Sequence, residues 1–337
     1  MHIKKLSDIG EFGFIEEIKD DCHFNLNGLV KGIGDDCAVI GPYDDRYLIL
    51  TTDLLIEDIH FIMDQTNPVD LGKKSMSVNL SDIAAMGGSP LHSLVSIAVP
   101  QSAPLEILQG IYQGMKEACR SYKFNILGGD TSASRDRLVI NVALIGEVPQ
   151  KEILYRNRAK KGDKIYVSGP LGDSAAGLKM LKGEMRPSGG NQGYFIEAHQ
   201  LPQPEITLGR RIARSGLANA MIDISDGLVA DLGHICQTSG LGARIYKESI
   251  PLSEEMKKLS TEANFDAYEL ALYGGEDYKL LFTVPAEKAS YLEEQFKDGQ
   301  NGHLYPLGEI ITGNEIRIVF EEGREKVLTI KGYNHFS

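Results

Sequence analysis

Apolar segments alternate with amphipathic ones along the chain, which predicts a mixed α/β architecture. Continuous apolar runs predict buried strands at 47–53, 94–100, 124–130, 138–148 and 164–169. Apolar residues at helical spacing predict helices at 68–86, 104–122, 172–183 and 228–240. The helix over 68–86 ends at Gly87-Gly88, with Pro90 just beyond. The pattern shows no internal repeat of fixed period.

The second half of the chain continues the alternation. The segment 220–227 reads as a strand that leads into the helix at 228–240, and 272–284 reads as a turn followed by a strand. The polar stretch 183–204 is interpreted as an exposed loop. A polar, basic connection over 150–163 predicts a boundary between two domains, 1–150 and 151–337, and the length of 337 residues suits two domains.

Charge and composition remove several classes of protein. The formal net charge is −12 and there is no basic tract, so bare nucleic acid is not an expected partner. No run approaches the roughly 18 apolar residues of a membrane span, and the N-terminus lacks a signal-peptide core, so we expect a cytoplasmic protein with no membrane partner. The four cysteines form no CxxC pair, which disfavours zinc and disulfides.

Acidic residues recur where predicted strands end beside glycine or where a helix begins. They are Asp35, Asp36, Asp53, Asp130, Asp223, Asp226, Glu276 and Asp277. Ligands of open α/β sheets gather at the carboxyl ends of strands, and oxygen ligands without His or Cys suit Mg²⁺. The alternative is structural: Asp226 could cap a helix, and Gly-Gly-Asp segments are common turns. Asp35 and Asp36 are adjacent, so one of the two is expected to face a shared site.

The helix over 68–86 carries a line of polar residues. Ser75, Asn79 and Asp82 follow the spacing i, i+4, i+7 among small and apolar neighbours. Such a line is either a solvated face or a buried stripe that needs partners, and a metal ion would serve as one. Ser and Asn in place of Lys and Glu favour the buried stripe.

An acidic protein can handle a nucleotide only where a metal bridges the like charges. The sequence contains no Walker A segment, no GxGxxG after a strand, no HRD/DFG pair and no HExxH. Taken alone, His60 and Tyr112 are interpreted as structural residues. Arg156 is interpreted as solvated, with a phosphate contact as its alternative.

Read in order, these segments resemble the thiamine-monophosphate kinase family. The resemblance rests on GDDCAV, TTDLLIEDIHF, VNLSDIAAMGG, ILGGDTS, GDSAAGL, IDISDGL, LGHI, GGEDY and KGYNHF, which run from about residue 32 to residue 336. It implies Mg²⁺- and ATP-dependent transfer of a phosphoryl group onto thiamine monophosphate, which gives thiamine diphosphate. It also implies an α/β (α+β) fold of two domains like that of aminoimidazole ribonucleotide synthetase. In that fold the N-terminal domains form a barrel across a homodimer, and the C-terminal domain is an α/β sandwich.

The resemblance also assigns roles to residues. The implied metal ligands are Asp36, Thr51, Thr52, Asp53, Asp82, Asp130, Asp223 and Asp226. The implied ATP contacts are Tyr112, Gly129, Asp130, Arg156 and Ser225. The implied contacts to thiamine monophosphate are His60, Glu276 and Tyr333, and no protein nucleophile is implied.

Two alternatives remain open at this point. One is another ATP-dependent enzyme of the same superfamily, although Cys22 does not fit the reactive cysteine of a selenophosphate synthetase. The other is a non-catalytic nucleotide sensor that kept the metal site. Tyr112 is placed by spacing alone, and the stretch 183–204 carries no family motif.

Overall fold

The computed structural model describes residues 5–186, 191–297 and 303–330. The first half of the chain forms three helices and six strands. In chain order they are α1 (Gly10–Ile18), β1 (Leu29–Lys31), β2 (Ala38–Tyr43), β3 (Arg46–Ile56), α2 (Pro68–Ala85), β4 (Ser89–Pro100), α3 (Leu105–Tyr122), β5 (Asn125–Ser134) and β6 (Val139–Pro149).

The six strands form one sheet in the order β1-β2-β3-β6-β4-β5. Neighbouring strands are antiparallel except β4 and β5, which run parallel. Along β3 the residues alternate between the two faces, so Ile49 and Leu55 lie in the core while Leu54 stays exposed on the outer face. Helices α2 and α3 cover the inner face.

The second half forms seven helices and seven strands among the described residues. They are β7 (Lys164–Val167), α4 (Asp173–Leu181), α5 (Gln192–Gln200), α6 (Ile206–Ser215), β8 (Ala220–Asp223), α7 (Leu228–Ser239), β9 (Gly242–Tyr246), α8 (Glu254–Ala263), α9 (Ala267–Tyr273), β10 (Leu280–Val284), α10 (Ala289–Gln295), β11 (Tyr305–Ile311), β12 (Ile316–Val319) and β13 (Glu325–Leu328). The sheet order is β13-β12-β9-β11-β7-β10-β8.

Helix α2 joins the two halves. It begins where the side chain of Asn67 accepts a hydrogen bond from the Val69 amide at 2.9 Å, with Pro68 in the first turn. Its middle packs in the core of the first sheet, and Ala84 and Ala85 pack against α6 of the second half. Because both faces are covered, a polar residue on α2 must find a protein partner or a bound ligand.

The predicted fold class is confirmed, and so is the helix predicted over 68–86, which is α2. Two expectations are wrong. The stretch 183–204 is not one loop, because its described part contains α5, which buries Phe195 and His199 against α4. In addition, Asp53 and Asp130 lie inside β3 and β5 and not at strand ends.

A third expectation also fails. The first sheet contains a single parallel pair, so its strands do not share one carboxyl edge where ligands could gather. The acids must be brought together in another way. No helix among the described residues is long and apolar enough to cross a bilayer.

Candidate active site

Three carboxylates meet where the two halves of the chain come together. Asp36 lies just before β2, Asp82 on α2 and Asp223 at the end of β8, and one oxygen of each lies within 4.8 Å of the others. Like charges this close repel each other unless protons or a cation intervene. We call these residues, together with Asp53 of β3, the acidic cluster.

Neighbouring hydroxyl groups hold two of these acids in place. The Thr51 hydroxyl donates to Oδ2 of Asp82, and Ser81 Oγ donates to Oδ2 of Asp223 at 2.5 Å. Thr51 and Asp53 lie on the inner face of β3, toward α2. Within the described chain, Oδ2 of Asp36 and Oδ2 of Asp53 are buried without a hydrogen-bond partner.

Ionisation of all four carboxylates of the acidic cluster is unfavourable in the absence of a bound cation. Burial raises the pKa of Asp36 to about 8 despite the opposing Arg156, and Asp223 adds to the rise. Burial, followed by repulsion from Asp223, raises the pKa of Asp53 to about 7. The pKa of Asp82 is raised well above its ordinary value by burial and then by Asp53, Asp223 and Asp36.

Arg156 is the cation that the structure places beside this cluster. Its guanidinium pairs with Asp36, and its backbone amide donates to Asp35 Oδ1 at 3.2 Å. The side chain is mostly buried, so the interpretation of Arg156 as a solvated residue is wrong. Asp36 joins the acidic cluster and Asp35 does not, although both acids contact Arg156.

The acidic cluster fits a divalent cation such as Mg²⁺. Its donors are oxygens, two buried oxygens lack partners, and burial disfavours its negative charge in the absence of a counter-ion. Asp36, Asp53, Asp82 and Asp223 would be the residues that hold such ions.

Asp226 belongs to a second group of side chains. Its carboxylate lies close to Asp231 and His234, and burial followed by repulsion from Glu11 raises the pKa of Asp226 to about 7. It does not cap α7, because Gly227 occupies that position. The backbone amides of residues 226 and 227 donate instead to Asp231 Oδ2 at 3.1 and 3.0 Å.

Asp130 is not brought into the acidic cluster of its own chain. It pairs with Ser96 on the exposed edge strand β5, and β4 and β6 lie between β5 and β3. At about 4.8 Å per strand, this separates Asp130 from β3 by about 14 Å. Gly129 is fixed beside it, since a Cβ there would lie 1.7 Å from the Val95 carbonyl oxygen. Thr52 likewise faces the outer side, where its hydroxyl accepts from Asn141 at 2.9 Å.

A different kind of site lies at the other end of α2. Lys74 Nζ donates to Glu276 Oε2 at 2.8 Å, and the carbonyl of His60 lies 3.5 Å from the same ammonium. The Ile56 amide donates to Nδ1 of His60 at 3.0 Å, which fixes the ring. The loop of Glu276 is tied to Ser225, whose carbonyl accepts from the Glu276 amide at 2.7 Å. His60 and Glu276, two predicted substrate contacts, thus both contact Lys74.

Comparison with known proteins gives a consistent answer over the whole chain. The AIR synthase related protein family matches twice, with its N-terminal domain over residues 34–148 and its C-terminal domain over 160–321. A thiamine-monophosphate kinase of Bacillus subtilis is 34% identical over 90% of this chain and 93% of its own length. The enzyme of the same description from Aquifex aeolicus is 37% identical over 98% of this chain and 100% of its own.

The chain belongs to the thiamine-monophosphate kinase family. Among solved structures, AaThiL complexed with AMPPCP and TMP is 36% identical, has a TM-score of 0.86, and aligns over 99% of this chain and 100% of that chain.

Tyr112, which the resemblance implies as an ATP contact, lies away from the acidic cluster. Tyr112, on α3, is half-buried against the core of the first half, which agrees with its interpretation as a packing residue. Tyr333 lies outside the described residues. Of the polar line on α2, only Asp82 joins the acidic cluster; Ser75 Oγ and Asn79 Nδ2 donate to carbonyls of their own helix at 2.9 and 3.3 Å.

Sequence reasoning missed Lys74, His199 and Ser81. Lys74 carried only a weak signal, because it lies eight residues before Asp82 on the same predicted helix but its neighbour Lys73 carries the same charge. His199 carried none, since the segment around it is polar and contains no family motif.

Proposed function

We propose that the chain is a thiamine-monophosphate kinase, which uses ATP as co-substrate and transfers its γ-phosphoryl group to thiamine monophosphate. Full-length similarity to curated enzymes of that description carries the proposal. Likeness to AaThiL complexed with an ATP analogue and TMP supports it, as does the acidic cluster. The two halves, 1–150 and 151–337, would act as two domains with the site between them.

The proposed roles follow the assigned residues. Asp36, Thr51, Thr52, Asp53, Asp82, Asp130, Asp223 and Asp226 would hold Mg²⁺; Tyr112, Gly129, Asp130, Arg156 and Ser225 would contact ATP; His60, Glu276 and Tyr333 would hold thiamine monophosphate. Bound Mg²⁺ supplies charge neutralisation at the transferring phosphoryl group. Arg156, paired with Asp36, brings a further positive charge to the side where the ATP phosphates would lie.

Direct transfer without a protein nucleophile suits these residues. The acceptor is a phosphate monoester whose second pKa is about 6, so at pH 7 it is mostly a dianion that can attack phosphorus itself. Cys37 is the thiol next to Asp36, but burial raises its pKa well above the ordinary value and keeps it a neutral thiol. The protein's task is then to align two anions and screen their repulsion.

We also propose a homodimer formed through the first sheet. Its outer face exposes Leu54 and Leu94, and β5 is an uncovered edge next to it. Since Asp130 is about 14 Å from β3 in its own chain, pairing of the exposed β5 edge with a second copy could bring Asp130 and Gly129 to the acidic cluster of that copy. A monomeric mass by light scattering at micromolar concentration would contradict this.

The deciding experiment measures coupled ADP release with a panel of acceptors: thiamine, thiamine monophosphate and aminoimidazole precursors. The proposed enzyme releases ADP steadily with thiamine monophosphate and needs Mg²⁺. A sensor would bind ATP without turnover, and another enzyme of the superfamily would prefer a different acceptor.

Inversion at a chiral thiophosphate would support direct transfer, whereas retention or an isolated phosphoenzyme would refute it.

A further inference from the structure

Lys74 is an unusual residue for a helix interior, because only 2% of its side chain is exposed. A buried ammonium is unfavourable unless acceptors surround it. Here its three hydrogens have three acceptors: Glu276 Oε2 at 2.8 Å, His199 Nε2 at 3.5 Å and the His60 carbonyl at 3.5 Å. The lysine is therefore built into the fold as a fixed charge.

His199 completes the arrangement around Glu276. Since an ammonium cannot accept a hydrogen bond, the ring nitrogen facing Lys74 must carry a lone pair, and the hydrogen sits on Nδ1. Nδ1 is hydrogen-bonded with Ser174 Oγ at 3.1 Å and also lies 3.0 Å from Glu276 Oε2, the oxygen that Lys74 contacts. Burial, reinforced by Lys74, lowers the pKa of His199 to about 4, so the ring is neutral at pH 7.

Helix α5 brings His199 to this place and is itself held firmly. Gly177 of α4 approaches Phe195 so closely that a Cβ there would lie 1.9 Å from the Phe195 carbonyl oxygen. Next to His199, Gln200 Nε2 donates to the Gln65 carbonyl at 2.8 Å. The segment 192–200 thus connects α4 to the loop that follows β3, where His60 also lies.

Glu276 is constrained through its backbone as well. Its φ of +62° lies in the left-handed region, which a residue with a side chain adopts only where its surroundings hold it. Burial alone would raise the pKa of Glu276, but the Lys74 ammonium opposes it and the pKa is lowered. The side chain is still 23% exposed, so one part of the carboxylate can meet a ligand.

We propose that Lys74 and His199 are positioning residues that hold Glu276 as a directed hydrogen-bond acceptor for thiamine monophosphate. This inference rests on the proposed function, in which Glu276 contacts that substrate. Because Lys74 balances the charge of Glu276 and His199 is neutral, the group of three has no net charge. It offers a donor on the substrate a fixed oxygen and does not act as a free counter-ion.

The test is a double-mutant cycle with steady-state kinetics. Lys74→Met should raise KM for thiamine monophosphate about tenfold and change kcat and KM for ATP less than about threefold, since Glu276 acts in binding. Combining it with Glu276→Gln should add no further loss, because Lys74 acts through Glu276. Lys73→Met is the matched control: Lys73 is the neighbour on α2, pairs with Glu117 at the surface and should leave KM unchanged.

Three outcomes would overturn the inference. An unchanged KM in Lys74→Met, beside a raised KM in Glu276→Gln, would refute the positioning role and leave the proposed function standing. Additive losses in the double variant would show that Lys74 acts independently of Glu276. No ADP release by the unaltered protein would overturn the proposed function and this inference with it. If Lys74→Met does not fold, His199→Leu should give the same rise in KM, and an unchanged KM there refutes the role.

Discussion

The surroundings of Asp82 and of Lys74, both on helix α2, differ in how their charges are balanced. Around Asp82, four buried acids converge and raise the pKa of one another, with Arg156 as their neighbouring cation. Around Lys74, two turns earlier, positive and negative groups are paired and the pKa of Glu276 is lowered. The acids around Asp82 carry more negative charge than Arg156 can balance, whereas the charges around Lys74 are balanced without a ligand.

This contrast assigns different tasks to the two ends. A cluster of carboxylates favours the binding of a metal ion, which suits the place where phosphate charge must be screened. A balanced group keeps one geometry, which suits recognition of a substrate. Since Lys74 and Asp82 are about 12 Å apart along one rigid helix, α2 would also fix the distance between the two tasks.

The largest effect is expected where the charges are unpaired. Asp53→Asn, Asp82→Asn and Asp130→Asn should each lower kcat by about 10²-fold or more at saturating ATP and Mg²⁺, because each removes a carboxylate proposed to hold the Mg²⁺ that neutralises the transferring phosphoryl group. The fold should survive, since loss of a charge at Asp53 or Asp82 relieves repulsion within the acidic cluster, and Asp130 is exposed on the edge strand β5. Initial rates and circular dichroism check both statements.

Asp70→Asn provides the control for these variants. Asp70 lies in the first turn of α2, outside the acidic cluster, and its replacement should leave kcat within about twofold. Normal kcat in all three variants at saturating Mg²⁺ would remove the acidic cluster and Asp130 from the mechanism.

The second prediction asks which chain supplies Asp130. If it completes the partner's cluster, a dimer of one Asp82→Asn and one Asp130→Asn protomer contains one intact site. Random co-assembly of the two inactive proteins should then restore about a quarter of the normal activity, because half of the dimers are mixed and each has one good site. Co-expression with two different tags, followed by a rate measurement, tests this.

Two mixtures sharpen the complementation experiment. Mixing Asp82→Asn with Asp53→Asn should restore nothing, because both residues belong to the same chain's cluster in every arrangement. Absence of recovery in the Asp82/Asp130 mixture, with mixed dimers demonstrated by pull-down, would mean that Asp130 acts within its own chain or not at this site.

The sequence predicts the acidic cluster better than it predicts the group formed by Lys74, His199 and Glu276, and the reason is physical. Asp36 and Asp223 carried a local signal, an acid beside a turn or a strand end, and Asp82 stood out through the polar line on its helix. Their convergence depends on α2 lying between the two halves, and the expectation that they meet at carboxyl ends of parallel strands was wrong for a largely antiparallel sheet. Lys74, His199 and Glu276 are remote in sequence, and although Glu276 was implied as a substrate contact, no local pattern placed Lys74 or His199 beside it.

The third prediction concerns the group of Lys74, His199 and Glu276, and it shifts His199 without changing any charged side chain. Gly177→Ala places a methyl group against the Phe195 carbonyl and must push α5 away from α4. Overpacking of this kind costs about 1–3 kcal/mol of stability, and the shift of His199 should raise KM for thiamine monophosphate several-fold with little change in kcat. Kinetics and thermal unfolding measure the two effects.

Gly193→Ala on α5 is the matched control, because a Cβ there meets nothing within 4 Å. It should leave KM unchanged and keep or slightly raise stability, since alanine favours helix. A normal KM in Gly177→Ala, at reduced stability, would separate the packing of α4 and α5 from substrate binding.

The smallest expected effect is thermal and tests the charge contrast directly. The pKa values of Asp53 and Asp36, about 7 and about 8, lie above those of an unfolded chain. The folded, metal-free protein then keeps protons that the unfolded chain releases between pH 4 and 8, so its stability falls as pH rises through that window.

Mg²⁺ needs the deprotonated carboxylates and competes with those protons. Millimolar Mg²⁺ should therefore raise Tm by a few degrees at pH 8 and by less at pH 6. Differential scanning fluorimetry against EDTA measures this, and Asp82→Asn should show a reduced gain. An equal gain at both pH values would mean that these acids are ionised without metal.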